Sequence, residues 1–492
     1  MRTEFKYICP VSLTSYTSIL LSLMITLIPW QLWGSYHDAY GRGDTSPAFK
    51  ELLHDAQKGD TGAEFQLGVI YEQGRGVPQD FSEAAKWYKK AAAAGHLEAQ
   101  YNLGLLYEEG RGLEKDYKEA ARWYLEAAEK GLAEAQYNLG LMYEESRGLP
   151  KNNHEAVKWY RKAAEQGMAE AQYSLGIKYE TGEGVGRNYS EAAKWYKKAS
   201  DQGNVYAQYC LGSLYCNGRG VPKDYKEAVR LYLKAADQEL PEAQFALGLI
   251  FEEGLGRPKN LPEALKWYRK AAEQGLSEAQ YNLAVKYENG DGVSQNYQEA
   301  AKWYQKAAEQ GDLYAQINLG SMYSSGRGVP QDYKEALKWF RAAAEKGLAE
   351  AQFNLGLTYE EGMGVQKNYL EAAKWYRMAG DQGLAEAQYN LGIMYEEGLG
   401  VNQDYLEAAK WYKKASEQGL ADAQYNLASL YHDGKGVPQD FILAHMWYNL
   451  AAAQGNPNAS QSRNDLASIM TPSQVAEAQR LAREWKSKRK TK

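Results

Sequence analysis

Residues 96–131 read HLEAQYNLGLLYEEGRGLEKDYKEAARWYLEAAEKG, and the chain repeats the pattern of this segment many times. Aligned every 36 residues from Asp60, the sequence stays in register as far as Gly455, which gives eleven repeats with no insertion. Leu67 recurs as leucine in all eleven repeats, and Gly76 recurs as glycine in all eleven. A period held this strictly indicates structural repeats that stack on one another.

Each repeat contains the signals of two helices. Ala99 and Leu103 fall on one apolar face by helical spacing, and Gly110 then provides a residue that ends a helix easily. Asp116 begins a second helix with Glu119 three residues later, which is a capping-box pattern. Small side chains on one helix leave space for the large Tyr, Trp and Leu of its neighbours. We therefore predict an all-α fold, an alpha-alpha superhelix (solenoid) of eleven 36-residue helix-turn-helix repeats with helical caps.

The chain divides into four segments by composition and period. Residues 1–36 form a signal or anchor transmembrane segment, and residues 37–59 form a linker and an N-terminal capping helix. Residues 60–455 are the repeats, and residues 456–492 are a C-terminal capping helix and a basic tail.

The N-terminal segment predicts export. No charged side chain occurs from Tyr7 to Tyr36, a length that spans a bilayer, and basic residues ahead of it favour a cytoplasmic N-terminus. An uncleaved anchor explains the length and the interfacial Trp30 and Trp33. A cleaved signal peptide would need a small-residue site, for which Leu32-Trp33-Gly34 is the best match. We favour an inner-membrane anchor with periplasmic repeats, or a secreted protein if the signal is cleaved.

Composition excludes several classes of function. The net charge of -6 with 24% charged residues gives no basic surface for nucleic acid, and three cysteines are too few for a disulfide framework. The six histidines recur at no common repeat position and have no metal-ligand spacing. We therefore expect no enzymatic activity, cofactor or metal.

The block from Glu98 to Ala128 resembles the Sel1-like repeat family, a relative of the tetratricopeptide repeats. Thr471 to Ala478 resembles the C-terminus of bacterial members. The resemblance implies a right-handed superhelix that serves as an adaptor in membrane-associated complexes, envelope processes or host interaction. Some secreted relatives carry a disulfide in each repeat, and this chain lacks those cysteines.

The same resemblance implies that the first helix of each repeat faces a groove where a partner binds. One asparagine position on this helix recurs in most repeats, and its amide could pair with the backbone of an extended peptide. These residues are Asn102, Asn138, Asn282, Asn318, Asn354, Asn390 and Asn426. The alternative is that each amide bonds a neighbouring helix and only stabilises the stack. Flanking glutamates would bias the groove toward basic ligands. They are Glu98, Glu134, Glu170, Glu278, Glu350 and Glu386, together with the pairs Glu108-Glu109 and Glu396-Glu397.

Two repeats depart from this pattern in the same way, three repeats apart. They carry tyrosine instead of the first glutamate, a serine further along, and no acid at the helix end. Either they are equivalent, less acidic, aromatic binding sites, or a three-repeat cassette was duplicated and drifted neutrally. The residues concerned are Tyr206, Ser213 and Asn217 in one repeat and Tyr314, Ser321 and Ser325 in the other.

These observations favour a non-catalytic scaffold or adaptor, exported and membrane-tethered, that binds a protein or an extended and preferably basic peptide. The alternative is a glycan-binding accessory of an envelope enzyme complex, which would require aromatic side chains along the groove. Most aromatic residues here have the spacing of core positions, which favours protein binding.

Overall fold

The computed structural model describes residues 47–490, and all 25 secondary-structure elements in that range are helices. This confirms the predicted all-α repeat fold. In chain order the helices are α1 Pro47–Gln57, α2 Thr61–Gln73, α3 Phe81–Ala93, α4 Leu97–Glu109, α5 Tyr117–Glu129, α6 Ala133–Glu145, α7 Asn153–Glu165, α8 Ala169–Thr181, α9 Tyr189–Asp201, α10 Val205–Asn217, α11 Tyr225–Asp237, α12 Pro241–Glu253, α13 Leu261–Glu273, α14 Ser277–Asn289, α15 Tyr297–Glu309, α16 Leu313–Ser325, α17 Tyr333–Glu345, α18 Ala349–Glu361, α19 Tyr369–Asp381, α20 Ala385–Glu397, α21 Tyr405–Glu417, α22 Ala421–Asp433, α23 Phe441–Ala453, α24 Ala459–Ile469 and α25 Pro472–Lys490.

The described chain forms two compact units, residues 47–260 and residues 261–490. Each unit is a stack of helix pairs in which the first helix of a repeat packs on the second, and the second packs on the first helix of the next repeat. The proposed signal or anchor segment, residues 1–36, lies outside the described residues. Within residues 47–490, no helix is both long enough and apolar enough to cross a membrane.

The ends of the helices follow the predicted chemistry, with one difference. Gly110 ends α4 in the left-handed conformation at φ 75°, and Asp116 begins α5 by accepting from the backbone N–H groups of Lys118 and Glu119. The capping-box prediction is correct only for the aspartate. The backbone N–H of Asp116 donates to the carbonyl of Tyr107, which removes the group that Glu119 would have bonded. Glu119 pairs with Arg122 at 2.8 Å instead.

A glycine and a tyrosine fix the distance between the two helices of a repeat. The ring of Tyr160 on α7 is fully buried against Gly140 on α6, where an added Cβ atom would lie 2.6 Å from the ring. Trp159, beside Tyr160 in the sequence, packs in the cluster that joins Tyr124 of the preceding repeat to Leu139 of its own repeat. One second helix thus completes both its own repeat and the joint with the repeat before it.

Both predicted caps are present. Phe49 and Leu52 of α1 cover Leu67 at the N-terminal end of the described chain. At the other end, α24 and α25 cover α23, and Ala478 packs in the same cluster as Leu466 and Trp447. The apolar faces of the first and last repeats are therefore buried, as solenoids require.

Candidate partner-binding surface

All thirteen residues predicted to bind a partner lie on first helices. In the unit of residues 47–260 they occupy α4, α6 and α10, and in the unit of residues 261–490 they occupy α14, α16, α18, α20 and α22. The seven asparagines are half-buried, so part of each amide is already covered by protein. Two pockets of the described chain, of about 290 and 320 Å³, are lined by none of the predicted residues. The candidate site is a surface of the first helices.

Five of the asparagines lie near tyrosine hydroxyls of the preceding repeat. Burial raises the pKa values of the Tyr124 and Tyr101 hydroxyls, and the amide of Asn138 is close enough to lower them in part; Asn102 has the same relation to Tyr88. The same proximity joins Asn318 to Tyr304, Asn390 to Tyr376 and Asn426 to Tyr412. These amides therefore lie at the joints between repeats. Stabilisation of the stack and peptide binding both stay predictions.

The same tyrosines donate to a glutamate at the end of the first helix of their own repeat. The Tyr160 hydroxyl lies 2.6 Å from a carboxylate oxygen of Glu144, and the Tyr124 hydroxyl lies 2.8 Å from Glu108. Burial, and then the charge of this glutamate, raises the pKa of the Tyr124 hydroxyl well above its usual value. The hydroxyl therefore remains a donor across the physiological range, and the carboxylate is held in place.

Cations of neighbouring residues neutralise many of the paired acids that were predicted to line an acidic groove. Arg147 lies 3.2 Å from Glu108 and 2.6 Å from Glu145. In the next repeat a glutamate replaces this loop arginine, and Lys178 supplies the positive charge instead. The buried Lys178 ammonium lies 2.6 Å from Glu144 and 2.8 Å from Glu183. These ion pairs were not predicted from the sequence, although arginine recurs at this loop position in several repeats.

The glutamates of the first helical turn supply exposed negative charge. Glu134, Glu278, Glu350 and Glu386 are exposed at equivalent repeat positions. Each also suits the positive end of its helix dipole, so their charge has a structural explanation as well. The acidic character expected from the sequence therefore rests mainly on this row and less on the acids at the helix ends.

The two exceptional repeats present their tyrosines differently. Tyr314 is 55% exposed, and its ring centroid lies 6.4 Å from that of Tyr281. Tyr206 is half-buried, with its ring 5.9 Å from Tyr173, so the two positions are not equivalent in exposure. The exposed ring of Tyr314 is the more accessible of the two.

The polar residues that accompany these tyrosines are bonded within their own helices. The Asn217 amide donates to the backbone carbonyl of Ser213 at 2.9 Å, and Ser213 is buried. The Ser325 hydroxyl donates to the carbonyl of Ser321 at 2.8 Å. Asn217, Ser213 and Ser325 are therefore less available to a partner than the tyrosines are.

Helix pairs stacked at a 36-residue period, with side chains that bond from one repeat to the next, define a helical-repeat solenoid. The Sel1 repeat model matches eleven consecutive blocks of the sequence. They are residues 61–96, 97–132, 133–168, 169–204, 205–240, 241–276, 277–312, 313–348, 349–384, 385–420 and 421–456. The chain belongs to the Sel1 repeat family. Proteins of this family generally act as protein-interaction scaffolds, and no enzymatic family is indicated.

Solved structures agree with this assignment. The chain is 37% identical to c5321, a protective antigen present in uropathogenic Escherichia coli strains, with a TM-score of 0.72 over 89% of this chain and 94% of that chain. A Sel1 repeat protein from Oxalobacter formigenes is 33% identical, with a TM-score of 0.54 over 62% of this chain and 90% of that chain. The chitin synthase regulator SKT5 of Saccharomyces cerevisiae is 39% identical over 69 residues, which is 14% of this chain and 10% of that protein.

Proposed function

We propose that this chain is a non-catalytic scaffold that captures a protein or an extended peptide segment on the surface of its first helices. Tyr314 carries the proposal. It is an exposed aromatic side chain that rests on Tyr281, at a repeat position where Glu278 precedes it and Glu350 follows it. A tyrosine held by a ring contact loses little conformational freedom on binding and is a favoured anchor at interfaces. The flanking acids favour a partner with basic residues.

The proposal includes export and tethering. The charge-free stretch from Tyr7 to Tyr36 supports an inner-membrane anchor, with the repeats on the periplasmic side. Fractionation of cells that express the full chain, with protease added to spheroplasts, tests this placement. Digestion of the repeats in intact spheroplasts is expected. Protection from the protease until the cells are lysed would contradict it.

Capture of a partner is tested with the full, affinity-tagged chain after cross-linking in cells. The Tyr314→Ala variant is expected to lose specific partners, because truncation removes the aromatic anchor. Tyr333→Ala is the matched control, since Tyr333 is 37% exposed on a second helix. Partners are quantified by mass spectrometry, and both variants are checked by thermal unfolding. Identical partner sets for the wild type and both variants would rule out a role for Tyr314.

Protein binding is favoured over glycan binding by the placement of aromatic side chains. Sugar platforms need several exposed rings in a row, and in residues 47–487 the exposed tyrosines are Tyr314 and Tyr333. The tyrosines that recur in register, such as Tyr124 and Tyr160, are fully buried. A single exposed ring suits one anchor of a peptide better than it suits a chain of sugars.

A further inference from the structure

Several repeat joints pair an acid with a cation, and this pairing follows a rule. The acid is the glutamate at the end of the first helix, which accepts the tyrosine hydroxyl of its own repeat. The cation comes from the following repeat. Arg147 contacts Glu108 directly at 3.2 Å, from 39 residues later in the chain, and Lys178 contacts Glu144 at 2.6 Å. At other joints the interaction acts over a longer distance, as for Glu72 with Arg111 and for Glu180 with Arg219.

Where the acid is missing, the cation is missing as well. Cys216 replaces the glutamate in one repeat, and Leu255 replaces the loop arginine of the next. Ser324 replaces it in another repeat, and Met363 follows in the arginine position. In that second case Phe340 also replaces the tyrosine, so the hydroxyl that would have bonded the acid is absent. At these two joints the acid and the cation are therefore both absent, as expected if a half-buried carboxylate at this position needs a cation as its partner.

Glu360 breaks the rule. It is half-buried and accepts a hydrogen bond from Tyr376 like its counterparts, but the residue 39 positions later is Leu399. The position from which Lys178 would reach is Met394, which is buried and apolar. Lys367, from the same repeat as Glu360, contributes only a longer-range interaction, and its ammonium lies 4.6 Å from the centroid of the Tyr369 ring. Within residues 47–487 no ion pair forms at Glu360.

A second departure occurs beside the first. Leu370, 53% exposed, stands at a helix position that is polar in the earlier repeats except at Pro262, and Leu406, 49% exposed, follows it one repeat later. The loop that contains Leu399 packs on this helix start, because a Cβ atom added to Gly400 would lie 2.5 Å from the backbone nitrogen of Leu370. An acid that lacks a cation from the following repeat and an exposed apolar side chain thus lie around one loop. Neither feature helps the isolated chain, and together they suit a ligand that brings both a cation and apolar surface.

We propose that Glu360, Leu399 and Leu370 form a docking site for a protein segment that carries an arginine or lysine next to apolar side chains. The cation of that segment takes the place that Arg147 holds against Glu108, and its apolar side chains cover Leu370. The inference deepens the proposed function and rests on it, because it takes the partner to be a protein.

Supplying the missing cation from within the chain tests the site. Leu399→Arg places a guanidinium where Arg147 stands in its repeat and should fill the site. Met363→Arg is the matched control, because it adds the same charge at the same repeat position, is equally half-buried, and follows Ser324 instead of an acid. Glu360→Gln removes the charge without adding bulk and keeps the test valid if Leu399→Arg disturbs the fold. Circular dichroism confirms helicity for all three variants.

The probe is a fluorescein-labelled peptide, Gly-Ser-Leu-Arg-Leu-Gly-Ser, compared with the same peptide containing neutral citrulline. Fluorescence anisotropy with the full chain in detergent should show roughly fivefold tighter binding of the arginine peptide, as expected for one partly exposed ion pair. The preference should vanish in Leu399→Arg and Glu360→Gln and persist in Met363→Arg. Equal binding of both peptides by the wild type, or equal loss in Met363→Arg and Leu399→Arg, would overturn the inference. If Tyr314→Ala still loses partners in that event, the scaffold function stands without this site.

Discussion

The two faces of one second helix treat polar groups in opposite ways. On the inner face of α15, the Tyr304 hydroxyl lies 2.6 Å from the Glu288 carboxylate, and the Tyr304 side chain is fully buried. On the outer face, Lys302 lies 2.6 Å from Glu299, but these side chains are 68% and 34% exposed. The two donor–acceptor distances are equal, but the inner contact is buried and the outer one is exposed to solvent.

The difference shows that burial, not distance, decides how much a polar contact stabilises this chain. Water competes for the outer pair, and exposed ion pairs contribute about 0–1 kcal/mol. On the inner face, the loss of one partner leaves a desolvated group unsatisfied, which costs about 1–3 kcal/mol. The inner face also recurs at most joints, so its effects accumulate along each unit. Three measurements test this difference between the buried and the exposed contacts.

Alkaline pH should have the largest effect, because it acts on the inner faces of many repeats at once. Burial raises the pKa of phenols such as Tyr124, Tyr160 and Tyr304 above the ordinary value. A raised phenol pKa adds stability that is fully present below the unfolded pKa of about 10 and is lost as the pH rises toward the folded value. Each such phenol should reduce the free energy of unfolding by about 1.4 kcal/mol per pH unit above that point.

Urea unfolding followed by circular dichroism between pH 8 and about 11.5 measures this loss. Below the ordinary pKa of tyrosine, the phenols are protonated in both the folded and the unfolded state, so they should leave the urea midpoint unchanged. The Tyr304→Phe variant should give a shallower loss per pH unit, because it removes one titrating group. A midpoint that does not move above pH 10 would show that the inner face is open to water.

Leu283→Ala should have the next largest effect. Leu283 lies on α14, is fully buried, and its truncation removes apolar contacts at the core of the same repeat. The expected cost is about 2–5 kcal/mol. Amide hydrogen exchange should show the greatest loss of protection in α14, α15 and the adjacent helices of that unit. Equal loosening of all helices would contradict the nearest-neighbour picture of a repeat stack.

Lys302→Ala should have the smallest effect, less than about 0.5 kcal/mol, because it removes only the exposed pair with Glu299. It lies in the same repeat as Leu283, so the two variants share their surroundings and differ in burial. Chemical denaturation at low and at high salt measures the change. A destabilisation comparable to that of Leu283→Ala would mean that the outer ion pairs stabilise the fold substantially, and it would contradict the proposed dependence on burial.

The period of the repeat and the residues that begin and end its helices were sufficient to predict the fold from the sequence. Gly110 at the end of α4 and Asp116 before α5 occupy the predicted positions, because their roles depend only on local backbone geometry. The capping box was only half correct, since the donor that Glu119 would need is taken by Tyr107, a residue on another helix. A local pattern cannot report such a competitor.

The candidate surface was less predictable for the same reason. The asparagine positions were visible in the sequence, but their proximity to tyrosine hydroxyls depends on how one repeat packs on the next. Lys178 shows why the sequence alone was insufficient. It occupies a helix position that is apolar in most repeats, and its role became clear only from the ion pairs with Glu144 and Glu183 in the folded stack. The exposure of Tyr314 likewise follows from packing and not from spacing.

The constant 36-residue spacing has a consequence for how such a chain can change in length. The packing positions of the joints recur at the same place in each repeat of a unit, so the loss of one whole period places residues of similar role against each other. Removal of residues 133–168, for example, would bring Lys178 opposite Glu108 instead of Glu144, and one carboxylate would be exchanged for another. Genetic gain or loss of entire periods can therefore alter the reach of the protein while each surviving junction keeps its chemistry.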